Sequence, residues 1–88
     1  MLIDLSRDWV MYVLECADKS FYAGITTNLD RRLHEHNHTS KAAKYTRSRR
    51  PVRIVYYEPH TSRSGASKSE AKFKKLTRKE KETKLCLS

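Results

Sequence analysis

Two short apolar runs, a polar turn and an amphipathic basic segment occupy residues 9–37. The first run, Trp9 to Glu15, reads W-V-M-Y-V-L-E. It is apolar on both faces, which predicts a central β-strand covered on each side. Alternation puts Val10, Tyr12 and Leu14 on one face and Met11 and Val13 on the other. Ala17-Asp18-Lys19-Ser20 has the composition of a turn, and Phe21 to Thr26 completes a hairpin. In this second strand Phe21, Ala23 and Ile25 share one face, while Tyr22 and Gly24 fall on the other. A glycine inside a strand often marks close approach by another chain or a ligand.

The pattern then changes period. Thr27 or Asn28 can cap a helix that runs to about Asn37, with Asp30 in its first turn. Its inward stripe holds Leu29 and Leu33 but also Arg32 and His36, at spacing i, i+3, i+4, i+7. A short helix near 40–45 precedes a loop stopped by Pro51. Val52 to Glu58 is a third strand by β-propensity, ended by Pro59. Ser62 to Leu76 reads as a helix weakened at its start by Gly65, with Ala66, Glu70 and Phe73 along one side. The last stretch, TRKEKETKLCLS, reads as solvated, with room for one more short helix and a flexible tail over 82–88. Residues 1–8 read as a loose lead-in.

The fold class expected is therefore α/β (α+β), a three-stranded antiparallel sheet flanked by helices. The 88 residues suit one domain, with a motif-bearing core over about 9–81.

Charge narrows the function. Lys plus Arg total 19 against 10 acids, for a formal charge of +9. That points to a polyanionic partner, nucleic acid before a membrane surface. No stretch approaches a membrane span or a signal peptide. Two distant cysteines, Cys16 and Cys86, make neither a disulfide framework nor a zinc site and fit a reducing cytoplasm. Lys41, Lys44, Tyr45, Arg47, Arg49 and Arg50 form a basic-aromatic stretch suited to phosphate contacts and one stacked base, or to a solvated loop.

Polar residues on inward surfaces carry the chemistry. Cutting a phosphodiester requires deprotonating a water, stabilising charge on the phosphate and neutralising the departing oxygen. A tyrosine relays a proton when a neighbouring cation lowers its pKa. An arginine bonds two phosphate oxygens at once. One glutamate with water ligands can hold Mg²⁺. Tyr12, Tyr22, Arg32, His36 and Glu70 supply these types. Each also has a structural reading: Arg32 snorkelling along the core edge, Glu70 paired with a lysine or with Arg32.

These residues resemble the GIY-YIG nuclease domain, in particular its small stand-alone bacterial members. Val10-Met11-Tyr12 stands at the first motif and Tyr22-Ala23-Gly24 at the second. NLDRRLHEH resembles the family helix, KYTRSRRPVRIVYYE the segment of the small members, and SEAKFKKLTR the region of the metal-binding glutamate. The resemblance implies metal-dependent hydrolysis of DNA, in repair or recombination. By it Tyr12 activates or positions water, Tyr22 orients water or phosphate, and Arg32 stabilises the transition state. Glu70 holds a single Mg²⁺ or Mn²⁺, Gly24 packs the backbone close, and His36 assists proton transfer or contacts phosphate. Val10 and Met11 replace the glycine and isoleucine of the first motif, and no asparagine follows Asn37. Two alternatives stay open: a nucleic-acid-binding module with an idle site, and a subunit that a protein partner directs to DNA.

Overall fold

A computed structural model describes residues 8–85. Cys86, the end of the expected tail and most of the expected lead-in lie outside the described residues.

Three strands, β1 (Trp9–Glu15), β2 (Phe21–Thr26) and β3 (Arg53–His60), form one antiparallel sheet in the order β2-β1-β3. The doubly apolar run is the central strand, as its composition predicts. Val10 to Leu14 are all buried to 1% exposure or less. Each such side chain contributes roughly 1.5–3 kcal/mol by leaving water.

Helices cover both faces. On one, Tyr12, Leu14, Cys16 and Val52 pack with Tyr22, Leu29, Leu33 and Ile54. On the other, Met11, Val13, Ala23, Phe73 and Leu85 pack with Phe21, Ile25, Val55, Tyr56 and Leu76. The first face lies under α1 (Leu29–His38). The second lies under α3 (Arg63–Lys74), with Leu85 from the end of α4 (Arg78–Lys84).

At 10 residues α1 is too short to persist alone, and its ends are tied down. The Asn28 side chain accepts from the Arg31 N–H at 3.0 Å. At the other end Asn37 bonds Val52 twice, donating to its carbonyl at 3.0 Å and accepting its N–H at 2.7 Å. That pair fixes α1 against the start of β3. Arg50 donates to the carbonyl of His36 at 2.6 Å and to that of Thr39, closing the carbonyl end of the helix.

Three expectations need correction. β3 does not stop at Pro59 but continues to His60, with Pro59 opposite Val10. As an edge strand it tolerates a residue without an N–H. The short helix falls later than 40–45, as α2 (Lys44–Arg47). The C-terminal stretch is more than solvated surface. Thr77 and Glu80 form a capping box for α4, and Leu85 is buried in the core. Residues 82–84 thus belong to a helix. Among the described residues, no helix is long and apolar enough to cross a membrane.

Candidate active site

Tyr12 projects from β1 across the edge strand. Its cross-strand partner is Gly24, and a Cβ there would lie 2.6 Å from the Tyr12 hydroxyl oxygen. The glycine is a packing requirement: the phenol lies where any side chain would sit. Tyr22 shares this face two residues along β2.

The Tyr12 hydroxyl meets His36 Nε2 at 2.9 Å. His36 is fully buried, and its Nδ1 lies 2.7 Å from the hydroxyl of Thr46, also fully buried. Thr46 in turn donates to the Ala43 carbonyl at 3.0 Å. The Tyr22 ring packs edge-on to the imidazole at 5.3 Å and stacks near Tyr45 at 6.0 Å. The Arg49 guanidinium sits 3.9 Å from the centre of the Tyr45 ring.

Electrostatics sharpen this arrangement. Burial, then the charges of Arg32 and Arg50 against that of Glu35, bring His36 down to about 4, so it is neutral near pH 7. Burial pushes Tyr12 up to about 12. A hydrogen-bonding approach and the charge of Arg32 oppose this, while Tyr22 and, least of all, Glu70 add to it. Burial works against the charge on Arg32, but the hydrogen bond to Glu35 and the nearby Tyr12 hydroxyl outweigh it and keep the guanidinium cationic. One Arg32 nitrogen donates to Glu35 at 3.0 Å and to the Lys41 carbonyl at 2.9 Å. Arg32 thus does lie along the core edge, held by Glu35, with its charge beside Tyr12.

Glu70 comes from the opposite helix layer. Glu58 positions that helix: it accepts from Tyr56 at 2.6 Å, from the adjacent His60 ring at 2.9 Å, and from Ser69, the residue before Glu70. The Glu70 carboxylate is 23% exposed, pairs with Lys74 at 3.3 Å and reaches Tyr12 only through its field. Among the described residues, no three His, Cys, Asp or Glu side chains gather as a metal cage. A lone, partly exposed carboxylate fits a divalent ion that keeps most of its water, as Mg²⁺ does. It does not fit zinc. Lys74 is exposed and free to yield its place to a cation.

The basic stretch divides. Lys44, Tyr45, Arg47 and Arg49 line a shallow depression of about 670 Å³. Arg49 is anchored by Asp18 at 3.0 Å. Lys41 is exposed and lends its carbonyl to Arg32. Arg50 spends its donors on α1 carbonyls, a structural duty that composition did not reveal. A depression of about 760 Å³ between α3 and α4 touches none of the candidate catalytic residues, so concavity and chemistry do not coincide. Thr46 escaped the sequence reading. The available signal was a threonine inside a basic stretch, which by itself reads as solvent-facing.

Fold and site define a class: a small antiparallel α/β domain that brings phenol, neutral imidazole and guanidinium together, with a lone carboxylate on the opposite helix layer. Residues 8–84 match the GIY-YIG catalytic domain, and the chain belongs to that family. This places it in a nuclease superfamily that is generally metal-dependent and binds nucleic acid.

Its relatives are UPF0213 proteins. One from Desulfotalea psychrophila is 52% identical over 75 residues, 85% of this chain and 68% of the relative. One from Syntrophus aciditrophicus is 51% identical over 77 residues, covering 88% and 87% of the two chains. The solution NMR structure of a protein from E. faecalis superposes with a TM-score of 0.64 at 50% identity, covering 94% of this chain and 88% of that one. That of a UPF0213 protein from Bacillus halodurans gives 0.59 at 41% identity, with 92% and 85% covered.

Proposed function

We propose that this chain is a metal-dependent endonuclease that hydrolyses DNA phosphodiester bonds. The observation that carries the reading is the buried Tyr12–His36 hydrogen bond beside the Arg32 guanidinium.

A phosphodiester docks on the free face of Arg32, which stabilises charge developing on the non-bridging oxygens. A water attacks phosphorus. Its proton passes to the Tyr12 oxygen as the phenol proton moves to His36 Nε2, and the P–O bond to the leaving group breaks. The departing oxygen takes a proton from solvent. Free His36 resists protonation partly because Arg32 is cationic. A bound phosphate anion offsets that charge and makes the imidazole a better acceptor when substrate is present. Tyr12 is only 1% exposed, so water reaches it when a neighbouring side chain moves. Tyr22 lies against the imidazole, where it can orient water or phosphate.

Glu70 would hold the divalent ion. When bound, that ion supplies positive charge to the phosphate and reverses the sign of the field Glu70 exerts on Tyr12. The Tyr45 ring is 38% exposed and lies under the Arg49 guanidinium at 3.9 Å, so it would offer a face to an unpaired base once that arginine swings onto a phosphate. Lys41, Lys44 and Arg47 offer charge to phosphates nearby. Unpaired and branched DNA is therefore the substrate form this surface suits, and such forms arise in repair and recombination.

The test is nicking of single-stranded, branched and duplex DNA with Mg²⁺ or Mn²⁺. Glu70→Ala should abolish nicking and leave DNA binding within about twofold. Binding without cutting of any substrate would sink the nuclease reading in favour of a binding module.

A further inference from the structure

The imidazole of His36 can be protonated on either nitrogen, and only one choice serves proton transfer from Tyr12. The groups around it decide which. In one arrangement Nδ1–H donates to Thr46, Thr46 donates to the Ala43 carbonyl, and Tyr12 donates to a bare Nε2. In the other, Thr46 donates to Nδ1 and Nε2–H donates to the Tyr12 oxygen. That oxygen already receives the approach of Arg32, and the buried phenol hydrogen is then left without an acceptor.

Magnitudes separate the two. The Ala43 carbonyl already accepts the N–H groups of Thr46 and Arg47 at 3.1 and 3.0 Å. The Thr46 hydroxyl therefore adds only a weak third bond there. A buried donor without an acceptor costs about 1–3 kcal/mol. The second effect is larger and favours Nδ1–H, provided that the Thr46 hydroxyl is there to accept that hydrogen. Without it Nδ1–H is itself a buried donor without an acceptor, and the preference is lost.

We propose that Thr46 is a positioning residue that holds His36 as the Nδ1–H tautomer, so that the Nε2 lone pair faces the Tyr12 hydroxyl and takes its proton. Thr46 touches no reacting atom; it acts through the imidazole alone. The purpose of this tautomer rests on the nuclease reading above, whereas its presence does not.

Long-range ¹H–¹⁵N NMR of the uniformly ¹⁵N-labelled protein at neutral pH reads the tautomer directly. The His36 signals are assigned by their loss in His36→Gln. The wild type should show Nδ1 protonated and Nε2 bare. Thr46→Val removes the hydroxyl at nearly constant volume. It should shift His36 toward Nε2–H or a mixture and lower the DNA-cutting rate by about 10–100-fold, within what a general base supplies. DNA affinity should hold, and Thr46→Ser should restore tautomer and rate together.

An Nε2–H tautomer in the wild type overturns the proposal whether or not the variants fold. So does a Thr46→Val protein that keeps Nδ1–H. A wild type with Nδ1–H that moves in Thr46→Val but cuts no DNA supports the tautomer lock and overturns the nuclease reading instead.

Discussion

Gly24→Ala is a sharp perturbation because it tests where the Tyr12 ring lies. The added Cβ would sit 2.6 Å from Oη, 2.8 Å from Cζ and 3.2 Å from Cε1 of that ring. Ordinary carbon contacts lie near 3.5–4.0 Å, so the end of the ring must retreat by about 1 Å. It cannot swing into solvent without leaving a packed site, since Tyr12 is 1% exposed. Overpacking of this kind costs about 1–3 kcal/mol. The 2.9 Å bond to His36 is lengthened or lost, which costs about 0.5–1.5 kcal/mol more. Alanine in a strand regains about 0.5–1 kcal/mol of chain entropy relative to glycine. The net loss is about 2 kcal/mol. For a domain of this size that lowers Tm by about 8–16 °C. Thermal and urea unfolding measure it. The control is Tyr12→Leu, which removes the ring. In that background Gly24→Ala should be neutral or stabilising by up to about 1 kcal/mol. An equal loss in both backgrounds would refute the reasoning and place the cost in the backbone.

Three further expectations follow from the same geometry. The fold holds His36 neutral at about 4 against an ordinary 6.5. Between those values the unfolded chain binds a proton that the folded one does not, so stability present above pH 6.5 is lost as pH falls toward 4. The loss is about 3 kcal/mol, and His36→Gln should flatten that slope in urea titrations run from pH 6.5 to 4.5. Arg50→Ala should cost about 2–3 kcal/mol, because it strips charged donors from α1 carbonyls. Lys44→Ala should stay within about 0.5 kcal/mol of wild type and instead lower the salt slope of DNA binding by about 1; the reverse assignment would mean the two cations have been confused.

Much of the candidate site is legible one residue at a time. Arg32 and His36 stand out because they interrupt an apolar stripe, and the structure buries His36 completely. Tyr12 and Tyr22 follow from strand alternation. Less legible is what each side chain touches. The six basic-aromatic positions look alike in sequence. Arg49 nevertheless ends on Asp18, Arg50 ends on helix carbonyls, and Lys44 lines the open surface. Which cation meets solvent depends on carbonyls and carboxylates that the chain brings up from distant positions.

The periodic pattern alone determined the chain order of the three strands and two longer helices and which faces of β1 are apolar. These are local properties: a period of two or 3.6 fixes a side chain's face whatever packs against it. The glycine in β2 suggested close approach by another chain or a ligand, and the group that approaches is the domain's own Tyr12 phenol. Tertiary structure decided the rest. It let β3 run through Pro59, because an edge strand needs bonds on one side only. It brought Leu85 into the core, and it set Thr46 against His36, ten residues away in sequence and 2.7 Å away in space. A hydrogen-bond chain from Ala43 to Tyr12 has no period and no composition. It exists only once α1, α2 and β1 occupy the same small volume.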